Sequence, residues 1–262
     1  MKVTRVNFLR SAAIGLLAAG VLAACGGGGG ESSGSAADVW TVGTEPGFPP
    51  FESLSESGEF EGFDIDLMTE IGDRAGKTVE FNSLPFDSLI AALQGGTIDA
   101  AISGMTITEE RAETVDFSDP YFQAGLAIAV AEDDNETTTL EDLEGKRIAV
   151  QLGTTGASTA EEVEGATITT FESAPLALLE LSNGNVDAVI NDAPATLEAI
   201  SSDNIPRIKV VGELLTEESY GIAMPQGSEN VALVNDALTE IRADGTYDTI
   251  YEKWFGTAPA GE

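Results

Sequence analysis

With 262 residues, 42% of them hydrophobic and 22% charged, the chain has the composition of a globular protein and room for one large or two modest domains. Its formal charge of −33, from 45 acids against 12 Lys and Arg, excludes nucleic acid and anionic lipid surfaces as partners. With no histidine and a single cysteine, zinc or haem chemistry and any histidine-based triad are excluded as well.

The first 24 residues read as an export signal. Lys2, Arg5 and Arg10 precede an apolar run from Ala12 to Ala24, which is too short for the roughly 20 apolar residues of a membrane span. Leu22-Ala23-Ala24-Cys25 resembles the lipobox of bacterial lipoproteins, in which cleavage before the cysteine leaves an N-terminal, lipid-carrying Cys25. Lipid anchorage to the membrane is therefore expected. Thr4-Arg5-Val6-Asn7-Phe8-Leu9-Arg10 also looks like a twin-arginine motif with one arginine lost, so Sec and twin-arginine export both stay open. Residues 25–37, almost all Gly, Ser and Ala after the cysteine, read as a flexible tether with a root-mean-square span of roughly 20 Å. Removing residues 1–24 takes three of the 12 cations and no acid, which leaves nine cations against 45 acids. That charge is spread along the chain and reads as a solvated surface.

Beyond the tether, short β-rich runs alternate with helical patterns, which predicts βαβ units and mostly parallel sheets covered by helices. Val39–Val42 reads as the first strand. Gly62–Ala75 reads as a helix with Ile65, Leu67, Met68 and Ile71 on one side, and Thr78–Asn82 as the next strand. Asp87–Leu93 follows as a helix stopped by Gly95-Gly96, and Asp99–Ile102 as another buried strand. Residues 87–104 then recur without gaps at 175–192, matching Leu93 with Leu181, Gly96 with Gly184, Asp99 with Asp187, Ala100 with Ala188 and Ile102 with Ile190. Two lobes of like architecture account for this echo, although the shared vocabulary of βα units is an alternative. Ligands of open α/β sheets sit beyond the carboxyl ends of the strands, where the two copies carry Ser103-Gly104 and Asn191-Asp192.

The candidate chemistry lies near those ends. Thr108 is a natural N-cap, with Glu109 and Glu110 in the first turn and Arg111 next along. In the second half, strand Arg147–Val150 runs into Gln151-Leu152-Gly153-Thr154-Thr155-Gly156, where a glycine-containing turn opening a helix presents N–H groups to an anion. Arg111 and these N–H donors suit a small carboxylate, and Asp192 suits an ammonium group. Phe48 and Phe86 are candidate flat apolar walls. No loop has calcium-ligand spacing, so neither a metal nor a cofactor is expected.

Five runs, in order, carry a resemblance over the chain from about Asp38 onward: Phe48-Pro49-Pro50-Phe51-Glu52, Gly62-Phe63-Asp64-Ile65-Asp66-Leu67, Gly104 to Arg111, Asp116-Phe117-Ser118-Asp119-Pro120-Tyr121, and Gly245-Thr246-Tyr247 with Lys253-Trp254-Phe255-Gly256. They are similar to the bacterial polar amino-acid-binding proteins of ABC transporters, solute-binding family 3, and closest to the glutamine and basic amino-acid binders. The resemblance implies a type II periplasmic-binding-protein fold, α/β, with two lobes joined by a two-stranded hinge. It places lobe one at 38–121 and 223–262, lobe two at 126–217, and the crossings near 121–125 and 218–222. It further implies an extracytoplasmic monomer that binds a free amino acid and hands it to an ABC import permease.

By the same resemblance, Arg111 would grip the ligand's α-carboxylate with the hydroxyl or amide of Thr106 and the amide of Thr155. Asp192 and the carbonyl of Gly104 would take the α-ammonium. Phe48 and Phe86 would sandwich the side chain, with Glu45, Ser103, Gln151 and Asn191 around its tip. The family's glutamine binder has a lysine in place of Gln151 and a histidine in place of Asn191, so this chain departs from it there. The tip residues include an acid and no cation, which argues against an acidic ligand and slightly favours arginine or lysine, with glutamine next. Two other functions stay open on the same fold: a cyclohexadienyl dehydratase with Glu45 as the acid, and the sensing subunit of a signalling system.

Overall fold

The computed structural model describes residues 39–202, 204–257 and 259. The expected signal peptide, Cys25 and the tether all lie outside the described residues.

Two five-stranded sheets dominate the fold. The first contains β1 (Val39–Thr44), β5 (Thr78–Ser83), β6 (Ala100–Ala101), β7 (Val115–Phe117) and β15 (Ala223–Pro225), in the order β5-β1-β6-β15-β7. The second contains β9 (Leu126–Ala131), β10 (Arg147–Gln151), β11 (Thr167–Phe171), β12 (Ala188–Asp192) and β13 (Ile208–Val211), in the order β11-β10-β12-β9-β13. Each has a parallel trio and an antiparallel pair added at one side. The trio strands run to the carboxyl ends where the sequence echo placed its polar pairs.

That echo has a structural cause. Strands β6 and β12 hold the same place in their sheets, and the aspartate just before each ties down the start of the central strand. Asp99 accepts from the Thr41 N–H through Oδ2 and donates its own N–H to the Thr41 carbonyl, at 2.8 and 2.7 Å. Asp187 does the same with Arg147, at 2.8 Å for both bonds. A carboxylate is needed at both positions because the strand edge there would otherwise lack an acceptor.

The lobes are connected by β8 (Phe122–Ala124) and β14 (Glu218–Tyr220), which pair antiparallel with Tyr220 opposite Phe122. A small sheet of β2 (Gly47–Phe48), β3 (Glu52–Leu54) and β4 (Phe60–Glu61) caps the first lobe. Helix α1 (Phe63–Ala75) buries Phe63, Leu67, Met68 and Ile71 at the expected helical spacing, each contributing about 1.5–3 kcal/mol over an exposed position. The C-terminal helices α7 (Asn230–Ala243) and α8 (Thr246–Phe255) return to this lobe. Phe255 packs against Phe51, Phe63 and Phe122, while Lys253 and Trp254 both donate to Asp66, at 2.5 and 2.6 Å. The helix expected over 87–93 is split into a short 3-10 turn (Phe86–Ser88) and α2 (Leu89–Gln94), because Pro85 sets the extended entry.

Candidate functional site

The lobes touch across a cleft at the hinge, and side chains from both meet there. Thr108 caps α3 (Glu109–Ala112) by accepting from the Arg111 N–H at 3.1 Å, as the sequence predicts. This cap aims Arg111 across the cleft. Its Nη1 donates to the Thr106 carbonyl at 2.7 Å and its Nη2 to the Gly153 carbonyl of the opposite lobe at 3.0 Å. The guanidinium lies 5.4 Å from the centre of the Phe86 ring, a cation–π arrangement. Burial lowers its pKa while Glu218, Asp192 and Glu110 raise it. With five donors on the fork and two engaged by carbonyls, it retains capacity for a carboxylate.

Thr154, on the loop between β10 and α4 (Thr155–Glu161), caps the helix by accepting from the Ala157 N–H at 3.2 Å. Thr155 is thereby the first helical residue, facing the cleft, and its hydroxyl donates to Glu218 at 3.1 Å. Gly153 has φ 78°, and a Cβ there would come within 3.0 Å of the Asp87 Cβ in the other lobe, so only glycine lets the lobes approach this closely. Gly104 is similar, with φ 52° and the Phe48 ring 3.1 Å from where a Cβ would stand.

Asp192 ends β12 and is buried. It accepts a very short hydrogen bond from the Tyr220 hydroxyl, and burial pushes its carboxyl up to about 7, with the Tyr220 bond pulling it back, Glu218 raising it and Arg111 lowering it. Phe48 is buried, stacks on Phe51 at 5.9 Å, and shares a cluster with Ala174 and Ala195 of the second lobe. Phe86 is half-buried and packs against a separate apolar cluster of the first lobe.

The residues expected around the ligand's side-chain tip divide into two groups. Glu45 and Gln151 do meet across the cleft: Gln151 Nε2 lies 3.4 Å from Glu45 Oε2 and donates to the Glu172 carbonyl at 3.2 Å. Burial raises the Glu45 carboxyl and the Gln151 bond partly offsets this. Ser103 and Asn191 are held within their own lobes instead. Ser103 accepts from the Glu45 N–H at 3.0 Å and donates to Glu52 at 2.7 Å, so its hydroxyl braces Glu45 from behind. Asn191 donates to Thr196 Oγ1 at 3.0 Å, on α6 (Ala193–Ser201).

Three acids and two tyrosines that sequence reasoning missed complete the site. Glu218 accepts from Thr106 Oγ1 at 2.5 Å and Thr155 Oγ1 at 3.1 Å with one oxygen and from Thr216 Oγ1 at 3.2 Å with the other. Tyr220 lies two residues on. Period-two alternation along a crossing expected at 218–222 puts these two side chains on one face, and that signal was available. Behind the Ser103-Gly104 turn, Asp64 accepts from the Gly104 N–H at 2.9 Å and from the Tyr121 hydroxyl at 2.8 Å. Glu52 and Asp64 are neighbouring carboxyls in complete burial, and Glu52 Oε2 and Asp64 Oδ1 have no hydrogen-bond partner among the described residues. Burial and the Asp64 charge hold Glu52 well above the usual carboxylate range, and burial raises Asp64 to about 6. No common local motif marks such a pair, since it depends on β3 packing against the start of α1.

Comparison with known proteins converges on one family. The profile of the bacterial extracellular solute-binding proteins, family 3, matches residues 40–257. A probable histidine-binding protein of Neisseria gonorrhoeae is 36% identical over 242 residues, covering 89% of this chain and 90% of that protein. Among solved structures, an ancestral arginine-binding protein bound to arginine superposes with a TM-score of 0.81 at 46% identity, over 84% of this chain and 99% of that one. The arginine-, lysine-, histidine-binding protein ArtJ of Geobacillus stearothermophilus gives 0.80 at 40% identity, over 84% and 96%.

Proposed function

The chain belongs to the bacterial extracellular solute-binding proteins, family 3, and we propose from this that it binds a free polar or basic L-amino acid outside the cytoplasm and delivers it to an ABC import permease. The observation that carries the reading is the convergence, across the hinge, of Arg111 from one lobe and Asp192 from the other on the same cleft, with Glu218 between them. Opposite charges facing one cleft suit the two ends of an amino-acid zwitterion. Arg111 and the N–H groups at Thr106 and Thr155 hold the α-carboxylate, and Asp192 with the Gly104 carbonyl holds the α-ammonium.

For the side chain, Phe48 and Phe86 form the walls, and Glu45 with Gln151 forms the polar end. Among these there is no cation, and Glu45 is already raised by burial. A guanidinium or ammonium at that end restores the ionised form, whereas a second carboxylate would stand uncompensated at a cost of several kcal/mol. Arginine and lysine rank first and glutamine next; the relatives above are binders of arginine, lysine or histidine by name. Ligand contacts made from both lobes favour the closed arrangement, which the permease then reads.

The lobe limits, 38–121 with 223–262 against 126–217, belong to the same reading, as do lipid attachment at Cys25, a flexible tether and a monomeric state. Lobe assignment is supported by the two separate sheets and the antiparallel crossing. Binding occurs without turnover. The test is a thermal-shift screen of the purified chain against the twenty amino acids, followed by calorimetry; a ligand at 100 times its Kd adds about 2.7 kcal/mol. Stabilisation by arginine or lysine is expected. Tightest binding of glutamate or leucine, no shift with any amino acid, or consumption of prephenate or arogenate would overturn the assignment.

A further inference from the structure

Glu218 is 7% exposed and sits on the hinge strand rather than on either lobe, yet it gathers hydroxyls from both. Thr106 comes from the first lobe, and Thr155 and Thr216 from the second. Thr216 in turn accepts from the Leu126 N–H at 3.0 Å, which locks the acid to the start of β9.

A threonine hydroxyl has one proton and two lone pairs. Because Thr106 and Thr155 each direct that proton to Glu218, their oxygens can only accept from any third group in the cleft. Both are thus unsuited to an α-carboxylate, which also only accepts, and suited to an α-ammonium, which only donates. Asp192 adds an acidic acceptor nearby, since the Tyr220 hydroxyl that donates to it comes from the same face of β14 as Glu218.

We propose that Glu218 is a positioning residue that orients the Thr106 and Thr155 hydroxyls as acceptors and so makes this corner of the cleft specific for an unsubstituted α-ammonium group. The inference rests on the amino-acid reading above. It narrows the contribution of Thr106 to the α-carboxylate to its backbone N–H, and it predicts rejection of ligands whose α-nitrogen is missing.

The experiment compares L-arginine with 5-guanidinopentanoate, the same molecule without its α-ammonium, by calorimetry on the wild-type chain and on Glu218→Leu. Thr106 and Thr155 share one carboxylate oxygen, so an amide could keep both; leucine offers no acceptor and frees both hydroxyl protons to turn toward the cleft. The wild-type preference for arginine should then fall by about tenfold or more in Glu218→Leu. A purely structural role would weaken both compounds in parallel and leave the ratio unchanged, which would overturn the inference alone. If Glu218→Leu does not fold, Thr155→Val removes one oriented acceptor and should lower the same ratio; no change there overturns the inference equally. If the wild-type chain binds no arginine, the ratio is read with L-glutamine against its deamino counterpart. Binding of neither amino acid overturns the amino-acid reading and, with it, the inference.

Discussion

Replacing Asp192 with Asn should stabilise the ligand-free protein at neutral and alkaline pH while destroying amino-acid binding. The Asp192 carboxyl is raised from 3.8 to about 7, chiefly by burial, so the folded state holds its proton more tightly than the unfolded chain does. The stability this gives is fully present below the unfolded value and is lost as pH rises through the folded one. Roughly three units at about 1.36 kcal/mol each set a ceiling of about 4 kcal/mol on the penalty carried above pH 7. Asn keeps an acceptor for the Tyr220 hydroxyl and has no charge to desolvate, so the variant avoids that penalty. Urea denaturation of both proteins at pH 4.5, 6 and 8 should show a gap that is small at the lowest pH and widens toward the highest. Parallel pH profiles would refute the assignment of the strained charge to Asp192. The α-ammonium of a ligand favours the ionised form, so binding near pH 6 should release a proton, and affinity should weaken as pH falls below about 7, detectable by calorimetry in buffers of different ionisation enthalpy.

Arg111→Ala should reduce arginine affinity by about 2–5 kcal/mol in calorimetry, with little change in unfolding midpoint, because α3 keeps its Thr108 cap. Glu45→Gln should weaken arginine more than glutamine, and equal losses for the two would reduce Glu45 to a brace for its own loop. Gly153→Val forces a β-branched residue to φ 78° against Asp87, so small-angle scattering should show less compaction with arginine than in the wild type; wild-type compaction would contradict the close approach seen there. Cys25→Ser should move the protein from the washed membrane fraction to the medium or periplasm with ligand binding intact, and retention on membranes would defeat the lipid-anchor reading.

Several features were legible in the residues alone because they obey local rules. The α1 stripe of Ile65, Leu67, Met68 and Ile71, the Thr108 cap and the echo of 87–104 at 175–192 each depend on spacing along one short segment, and each has its counterpart in the structure. Arg111, Thr155 and Asp192 could be nominated because helix starts and strand ends are where backbone groups and charges are offered to a ligand. What only the tertiary structure decided is which groups turn toward the cleft. Ser103 and Asn191, named from their positions at strand ends, are claimed by Glu52, Glu45 and Thr196, whereas Glu218 and Tyr220 turn inward from the hinge to meet Thr106, Thr155 and Asp192. Partners 28 to 112 residues apart in the chain leave no periodic trace in it. Their pairing is decided by burial, because a polar group removed from water takes whichever complementary group the packed lobes bring within about 3 Å.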